Sequence, residues 1–173
     1  MLATFDNEVK VELGSPTPES AEAARKALQR AKEDLKNGLY DVLVQAPVVP
    51  NRTPDANDKS LLIMFADDIR IALATTHLPL KDVATSITSD KLVEKCRLLH
   101  TSLKRDFRIN NPRIAVLALN PQLGAEEENI ISPALKTVEE AGIQAYGPFT
   151  AYDFFGNGMQ HSFDGILAMY DDQ

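Results

Sequence analysis

Short continuous apolar runs alternate along this chain with longer stretches in which apolar residues recur every three to four positions. The first pattern predicts strands buried on both faces, the second amphipathic helices. Glu8 to Leu13 predicts a short strand with alternating valines. Thr17 and Pro18 then read as an N-cap and a first helical residue. The helix they open spans Glu19 to Asn37, with Ala24, Ala27, Leu28, Ala31 and Leu35 on one face and Gly38 ending it. Asp41 to Ala46 predicts a continuous apolar strand, and Pro47 to Lys59 a polar, proline-punctuated loop. Leu61 to Ala66 and Ile69 to Ala74 predict neighbouring strands joined by a turn at Asp67-Asp68. Leu80 to Ile87 reads as a short helix or turn. Asp90 to Phe107 predicts a helix capped by Thr88 or Ser89. Ile114 to Leu119 predicts a strand, Glu126 to Ala141 a helix closed by Gly142, and Ile143 to Tyr146 a short strand before Gly147-Pro148. Thr150 to Phe155 reads as a turn or helical turn, and Phe163 to Met169 as the last strand.

Apolar strands separated by amphipathic helices imply an α/β fold: three layers, a mostly parallel sheet with helices on both faces, in one domain over 1–173. In such folds ligands bind outside the carboxyl ends of the strands. His77, the loop after Leu119 and the residues after Met169 all follow strands, so three strand ends are expected to converge on one crevice. An imidazole placed just past a buried strand suits a metal or a phosphate.

Composition narrows the function. The 173 residues suffice for one domain with a sizeable core. A net charge of −7 disfavours nucleic acid, which needs a basic face. Lys104, Arg105 and Arg108 form a local basic cluster that complements a helix end. The single cysteine, Cys96, lies beside Leu92, Leu98 and Leu99 in a helical pattern and reads as a buried apolar residue. No apolar run approaches the roughly 20 residues that cross a bilayer. Met1 to Phe5 lacks the layout of a secretion leader. These features predict a cytoplasmic chain without a membrane partner. No Gly-x-Gly-x-x-Gly, Walker sequence, nucleophile elbow or Cys-x-x-Cys occurs.

Four phrases carry a family resemblance. They are Ala72-Leu73-Ala74-Thr75-Thr76-His77-Leu78-Pro79; Pro112-Arg113-Ile114-Ala115-Val116-Leu117-Ala118-Leu119-Asn120-Pro121; Gly147-Pro148-Phe149 with Asp153; and Phe163-Asp164-Gly165-Ile166-Leu167-Ala168-Met169-Tyr170. In order and spacing the chain resembles 4-hydroxythreonine-4-phosphate dehydrogenase, at about half that family's usual length and corresponding to its metal-bearing middle portion. The resemblance implies an NAD-dependent enzyme of pyridoxal phosphate biosynthesis acting on a phosphorylated small molecule. It also implies a homodimer and a divalent metal held by three histidines, in which the metal polarises the substrate hydroxyl.

Carried residue by residue, the resemblance makes His77 the first metal ligand. It puts Gln122 and Asp171 where the other two histidines are expected. A His, Gln and Asp set is harder than three imidazoles and suits Mg²⁺ or Mn²⁺ in place of Zn²⁺, bound weakly. Asp172 would orient Asp171 from behind, or the two aspartates form a solvated tail. Asp153 matches a position near the family's active site and is expected to touch whatever occupies the crevice.

The family's Gly-His-Thr segment has no counterpart in the short interval Val48 to Lys59. Its Thr-Ala-Pro-Ile-Asn-Lys phrase is replaced by Gln45-Ala46-Pro47-Val48-Val49-Pro50, which lacks the lysine. Its nucleotide-binding segment is not matched. His161 reads as a solvated loop residue, His100 as a helix-rim residue, and Glu126-Glu127-Glu128 as a helix start that complements the dipole.

Three functions follow. The first is a shortened dehydrogenase-like domain lacking full activity. The second is an active, dimeric, metal-dependent oxidoreductase. The third is a phosphate- or metabolite-binding module using Thr75, Thr76 and backbone amides.

Overall fold

The computed structural model describes Val9, residues 14–15, 17–45 and 60–173. The expected strand at Glu8 to Leu13 and the expected loop at Pro47 to Lys59 lie outside the described residues, Val9 excepted. The chain divides into two compact units, Met1–Ala56 and Asn57–Gln173.

In the first unit, helix α1 spans Pro18–Lys36. Thr17 caps it in the expected way: its side chain accepts from the Ser20 amide at 3.2 Å, while the Ser20 hydroxyl accepts from the Thr17 amide at 3.0 Å. The predicted strand at Asp41 to Ala46 does not form over 41–45. Val42 and Val44 are exposed there. An apolar run becomes a strand only when a neighbour completes its hydrogen-bond ladder, and no described strand pairs with this segment.

The second unit holds a five-stranded sheet in the order β1-β2-β5-β3-β4. Its strands are β1 (Ile63–Ala66), β2 (Ile69–Leu73), β3 (Arg113–Leu117), β4 (Gln144–Phe149) and β5 (Gly165–Ala168). β1 and β2 form an antiparallel hairpin about Asp67, which takes φ 52°. All other pairings are parallel, so the fold is α/β with a mixed, mostly parallel sheet.

Alternation along each strand assigns the two faces. Ala72, Ile114, Val116 and Leu167 pack with residues of α2 (Leu80–Ser86), α3 (Ser89–Arg105) and α4 (Ser132–Glu140). Leu73, Ala115, Leu117, Ile166 and Ala168 pack on the opposite face. They meet an aromatic cluster of Phe149, Phe154 and Phe163, whose ring centroids lie 5.5–5.7 Å apart. Phe154 belongs to α5 (Ala151–Gly156). A right-handed crossover demands this division. The connections β2→β3 and β3→β4 advance across the sheet with their helices on one face, and β4→β5 returns with α5 on the other.

Two expected elements are remodelled by proline. The helix expected from Glu126 begins as a π-turn, Glu127–Ile131, before α4. Pro133 has no amide hydrogen and its ring would crowd the carbonyl four residues back. The wider π register accommodates it, with the Ser132 amide donating to the Glu127 carbonyl. β4 runs three residues past its expected end at Tyr146, through the cis Gly147-Pro148 bond. Proline is tolerated because β4 is an edge strand.

Gly147 has φ 139°, and a Cβ there would sit 2.3 Å from the Val116 carbonyl oxygen. We expect Gly147→Ala to cost about 3 kcal/mol or more. Gly156→Ala, with nothing within 4 Å of its Cβ position, should be neutral or stabilise α5 by up to about 1 kcal/mol. Urea unfolding of both variants checks the contrast.

Candidate functional site

Because β5 inserts between β2 and β3, the carboxyl ends of three parallel strands lie side by side. Their backbones are stitched together beyond the ladder. The Ala74 amide donates to the Ala168 carbonyl at 2.8 Å, and the Thr75 amide to the Met169 carbonyl at 3.1 Å. The buried Thr75 hydroxyl donates to the same Met169 carbonyl at 2.6 Å. The Gln173 carboxamide spans the other side. Its oxygen accepts from the Met169 amide at 2.6 Å, and its nitrogen donates to the Ala118 carbonyl.

His77 and Asp171 meet at these ends. The His77 amide donates to Asp171 Oδ2 at 2.8 Å. His77 holds φ 56°, a left-handed conformation that histidine adopts more readily than most side chains but still at a cost. Both residues are exposed, as are Asp172 and Gln122. Gln122 follows β3, which β5 separates from β2 in the sheet, and Asp171 follows β5 itself. Among the described residues, no three His, Cys, Asp or Glu side chains form a metal-holding group. The donors that share this edge include an imidazole, carboxylates and carboxamides, which suit a hard cation in kind.

Asp153 sits beyond the end of β4 and serves its own helix. Its amide donates to the Thr150 hydroxyl oxygen at 3.3 Å, and its carboxylate accepts from that hydroxyl at 2.6 Å. Thr75, expected as an anion donor, has its hydroxyl committed to Met169, and the His77 amide is committed to Asp171. In doubly wound sheets a glycine-rich turn after a strand cradles a dinucleotide pyrophosphate. The turns here read Thr75-Thr76-His77, Asn120-Pro121-Gln122 and Tyr170-Asp171-Asp172, and none of them is glycine-rich.

The other candidates fall elsewhere. His161, at the amino end of the sheet, approaches Asp68 at 3.4 Å while remaining exposed. His100 is half-buried on α3, and burial, with Lys104 beside it, lowers its pKa. Burial pushes the Cys96 thiol up to about 12, which makes it inert at neutral pH. An open groove of about 510 Å³ runs along α3 past Asp90, Glu94 and Arg97, with Thr137 of α4 also lining it.

Glu127 is more than the expected dipole complement. It is 1% exposed and directly follows the loop after β3. Its carboxylate accepts from the amides of Leu119 and Asn120, both at 2.9 Å, and of Gly124 at 2.8 Å. The Asn120 carboxamide adds contacts of 3.2 and 3.3 Å. The Gly-x-x-Glu spacing carries a signal for one of these bonds, since a glutamate three residues into a helix reaches back to the cap amide. Its burial and its hold on Leu119 and Asn120 leave no mark in the sequence.

The sequence profile of the family "Pyridoxal phosphate biosynthetic protein PdxA" matches residues 51–173. The chain belongs to the PdxA family. It is 46% identical, over 97% of its length, to a 4-hydroxythreonine-4-phosphate dehydrogenase from Bacteroides thetaiotaomicron, of which it covers 52%. It is 36% identical to the Neisseria meningitidis serogroup A protein of the same name, covering 57% of it. The chain thus spans about half the length of the curated relatives it matches. The Bacteroides match extends over 192 residues, more than the 173 of this chain, so the relative carries additional residues inside the matched region.

Among solved structures, a 4-hydroxythreonine-4-phosphate dehydrogenase from Burkholderia phymatum superposes with a TM-score of 0.60 at 28% identity. That superposition covers 65% of this chain and 36% of the other. A terephthalate 1,2-cis-dihydrodiol dehydrogenase from Burkholderia xenovorans shares the fold, with a TM-score of 0.71 over 98% of this chain and 60% of the other at 18% identity. No helix among the described residues is long and apolar enough to cross a membrane.

Burial raises the Glu127 pKa, but hydrogen bonds from Asn120 and Gly124 more than offset it and hold the carboxyl below 4.5. A depressed native pKa contributes stability that is present above the unfolded value and lost as pH falls through the native one. We therefore expect stability to decline as pH drops below about 4.5. Glu127→Gln should be less stable at neutral pH and show a shallower acid decline, read from urea midpoints between about pH 3 and 7.

Proposed function

We propose that this chain is a PdxA-family α/β unit that lacks full NAD-dependent dehydrogenase activity; the names of its relatives carry a dehydrogenase activity. The observation that carries this reading is the state of Asp171. Its carboxylate accepts a 2.8 Å bond from the His77 amide and braces the turn after β2. Gln122 offers only a neutral oxygen where an imidazole is expected.

The same contact favours a second reading, a metal-dependent oxidoreductase acting on 4-phosphohydroxy-L-threonine as a homodimer. The bond from His77 brings a carboxylate beside the imidazole-bearing residue, and His77 keeps a left-handed backbone that glycine would hold without cost. In this reading His77, Gln122 and Asp171 hold Mg²⁺, Mn²⁺ or Zn²⁺, and Asp172 orients Asp171. Asp153 contacts the molecule in the crevice. A bound cation would polarise the substrate hydroxyl.

NADH formation from 4-phosphohydroxy-L-threonine, assayed with each cation, separates the readings. A rate near that of a full-length relative refutes the first, and a strictly monomeric chain in solution counts against the second. Calorimetric titration of metal-stripped protein with Zn²⁺, Mn²⁺ and Mg²⁺ adds the binding measurement. On the first reading we expect weak or no heat, unchanged in His77→Ala; tight binding that His77→Ala abolishes supports the second.

His77→Gly provides a companion test. Relief of the left-handed strain should raise stability by about 1 kcal/mol, seen as a higher Tm. An unchanged or lower Tm would show that the side chain itself supports the turn.

A further inference from the structure

We propose that Glu127 is a built-in anion: its carboxylate fills the amide nest after β3 and thereby positions Asn120 and Gln122. Successive backbone amides that follow a strand and point at one spot form a concavity for an anion. In open α/β sheets that anion usually belongs to a ligand arriving from outside. Here Glu127 Oε1 takes both the Leu119 and Asn120 amides at 2.9 Å, and Oε2 takes the Gly124 amide at 2.8 Å.

One oxygen thus holds the entrance of the loop and the other its exit. The Asn120 carboxamide reaches Glu127 and also Glu126 Oε2 at 3.2 Å. Pro121 has no amide to offer, and Gln122 is carried between two clamped positions. The carboxylate is almost fully buried, so these charge-assisted bonds are shielded from water and worth more than at a surface.

Two consequences follow. A free phosphate or carboxylate is excluded from the loop after β3. Glu127 is also a positioning residue for Gln122, and this second consequence rests on the metal-site reading above.

Amide hydrogen exchange by NMR tests the clamp in wild type, Glu127→Ala and Glu127→Gln, each with and without sodium formate and with sodium chloride as the ionic control. In Glu127→Ala, exchange at Leu119, Asn120 and Gly124 should speed up about ten- to a hundredfold, while Val116 and Leu167 stay protected. Formate should slow the three amides again in Glu127→Ala and leave wild type unchanged. Glu127→Gln, which keeps one acceptor but turns an N–H towards a backbone donor, should fall between them; it decides the matter if the alanine variant does not fold. Unchanged exchange at the three amides overturns the proposal. So does a loss shared equally by Val116 and Leu167 in the glutamine variant, or an absence of formate response in a folded alanine variant.

Mn²⁺ titration of the same proteins keeps the two readings apart. An affinity about tenfold weaker in Glu127→Gln supports the positioning of Gln122, and equal affinity refutes it. If wild type binds no Mn²⁺, the metal-site reading fails while the exchange result still decides the clamp.

Discussion

The insertion of β5 between β2 and β3 is the constraint on which the remaining features depend. β5 arrives last in sequence and pairs on both sides at once, with Ile71 to Leu73 and with Ile114 to Val116. All four of its residues are buried. Gly165 lets it lie against α3: a Cβ there would stand 2.8 Å from a Leu103 methyl. Without this strand, the ends of β2 and β3 would have no common edge. With it, Thr75, His77 and Asp171 are joined across two strands by hydrogen bonds to backbone groups, and Gln173 ties the third.

The carboxyl edge of the sheet meets much of its hydrogen-bonding capacity within the chain. The Thr75 hydroxyl, the His77 amide and the amides of Leu119, Asn120 and Gly124 all find partners within the chain. Each bond that closes the edge on itself removes a donor that a phosphate or a cofactor would need. A PdxA-family chain of about half the length of its relatives therefore keeps the family's strand ends while meeting part of their hydrogen-bonding capacity internally. The left-handed backbone at His77 is the one feature there that runs against local stability.

Much of this architecture was legible in the order of residues. Continuous apolar runs located all five strands of the sheet, and caps such as Thr17 and Thr88 located the helices they open. The segment Asp41 to Gln45 misled, because an apolar run specifies burial and not the partner that makes a strand. Gly147-Pro148 misled in the other direction. The expected strand ends before it, yet it continues β4, since an edge strand needs hydrogen bonds on one side only.

For the site, the family phrases picked out His77 and Asp171, and folding joins them. Asp153 was legible as a position; in the fold it bonds Thr150, the N-cap of α5. Of the Glu127 clamp only the bond to Gly124 was legible, from the Gly-x-x-Glu spacing; its burial and its hold on Leu119 and Asn120 were not, because Glu127 lies among three acidic residues that look alike in sequence.

Sequence by itself determined the periodicity, the turns and the chemical identity of the groups at each strand end, because these follow from local backbone preference and side-chain type. Only the tertiary structure decided which strand ends are neighbours and which of three glutamates is buried. It also decided whether a carboxylate faces solvent or a backbone amide. Those outcomes depend on contacts between residues as far apart as His77 and Asp171, and no local pattern records them.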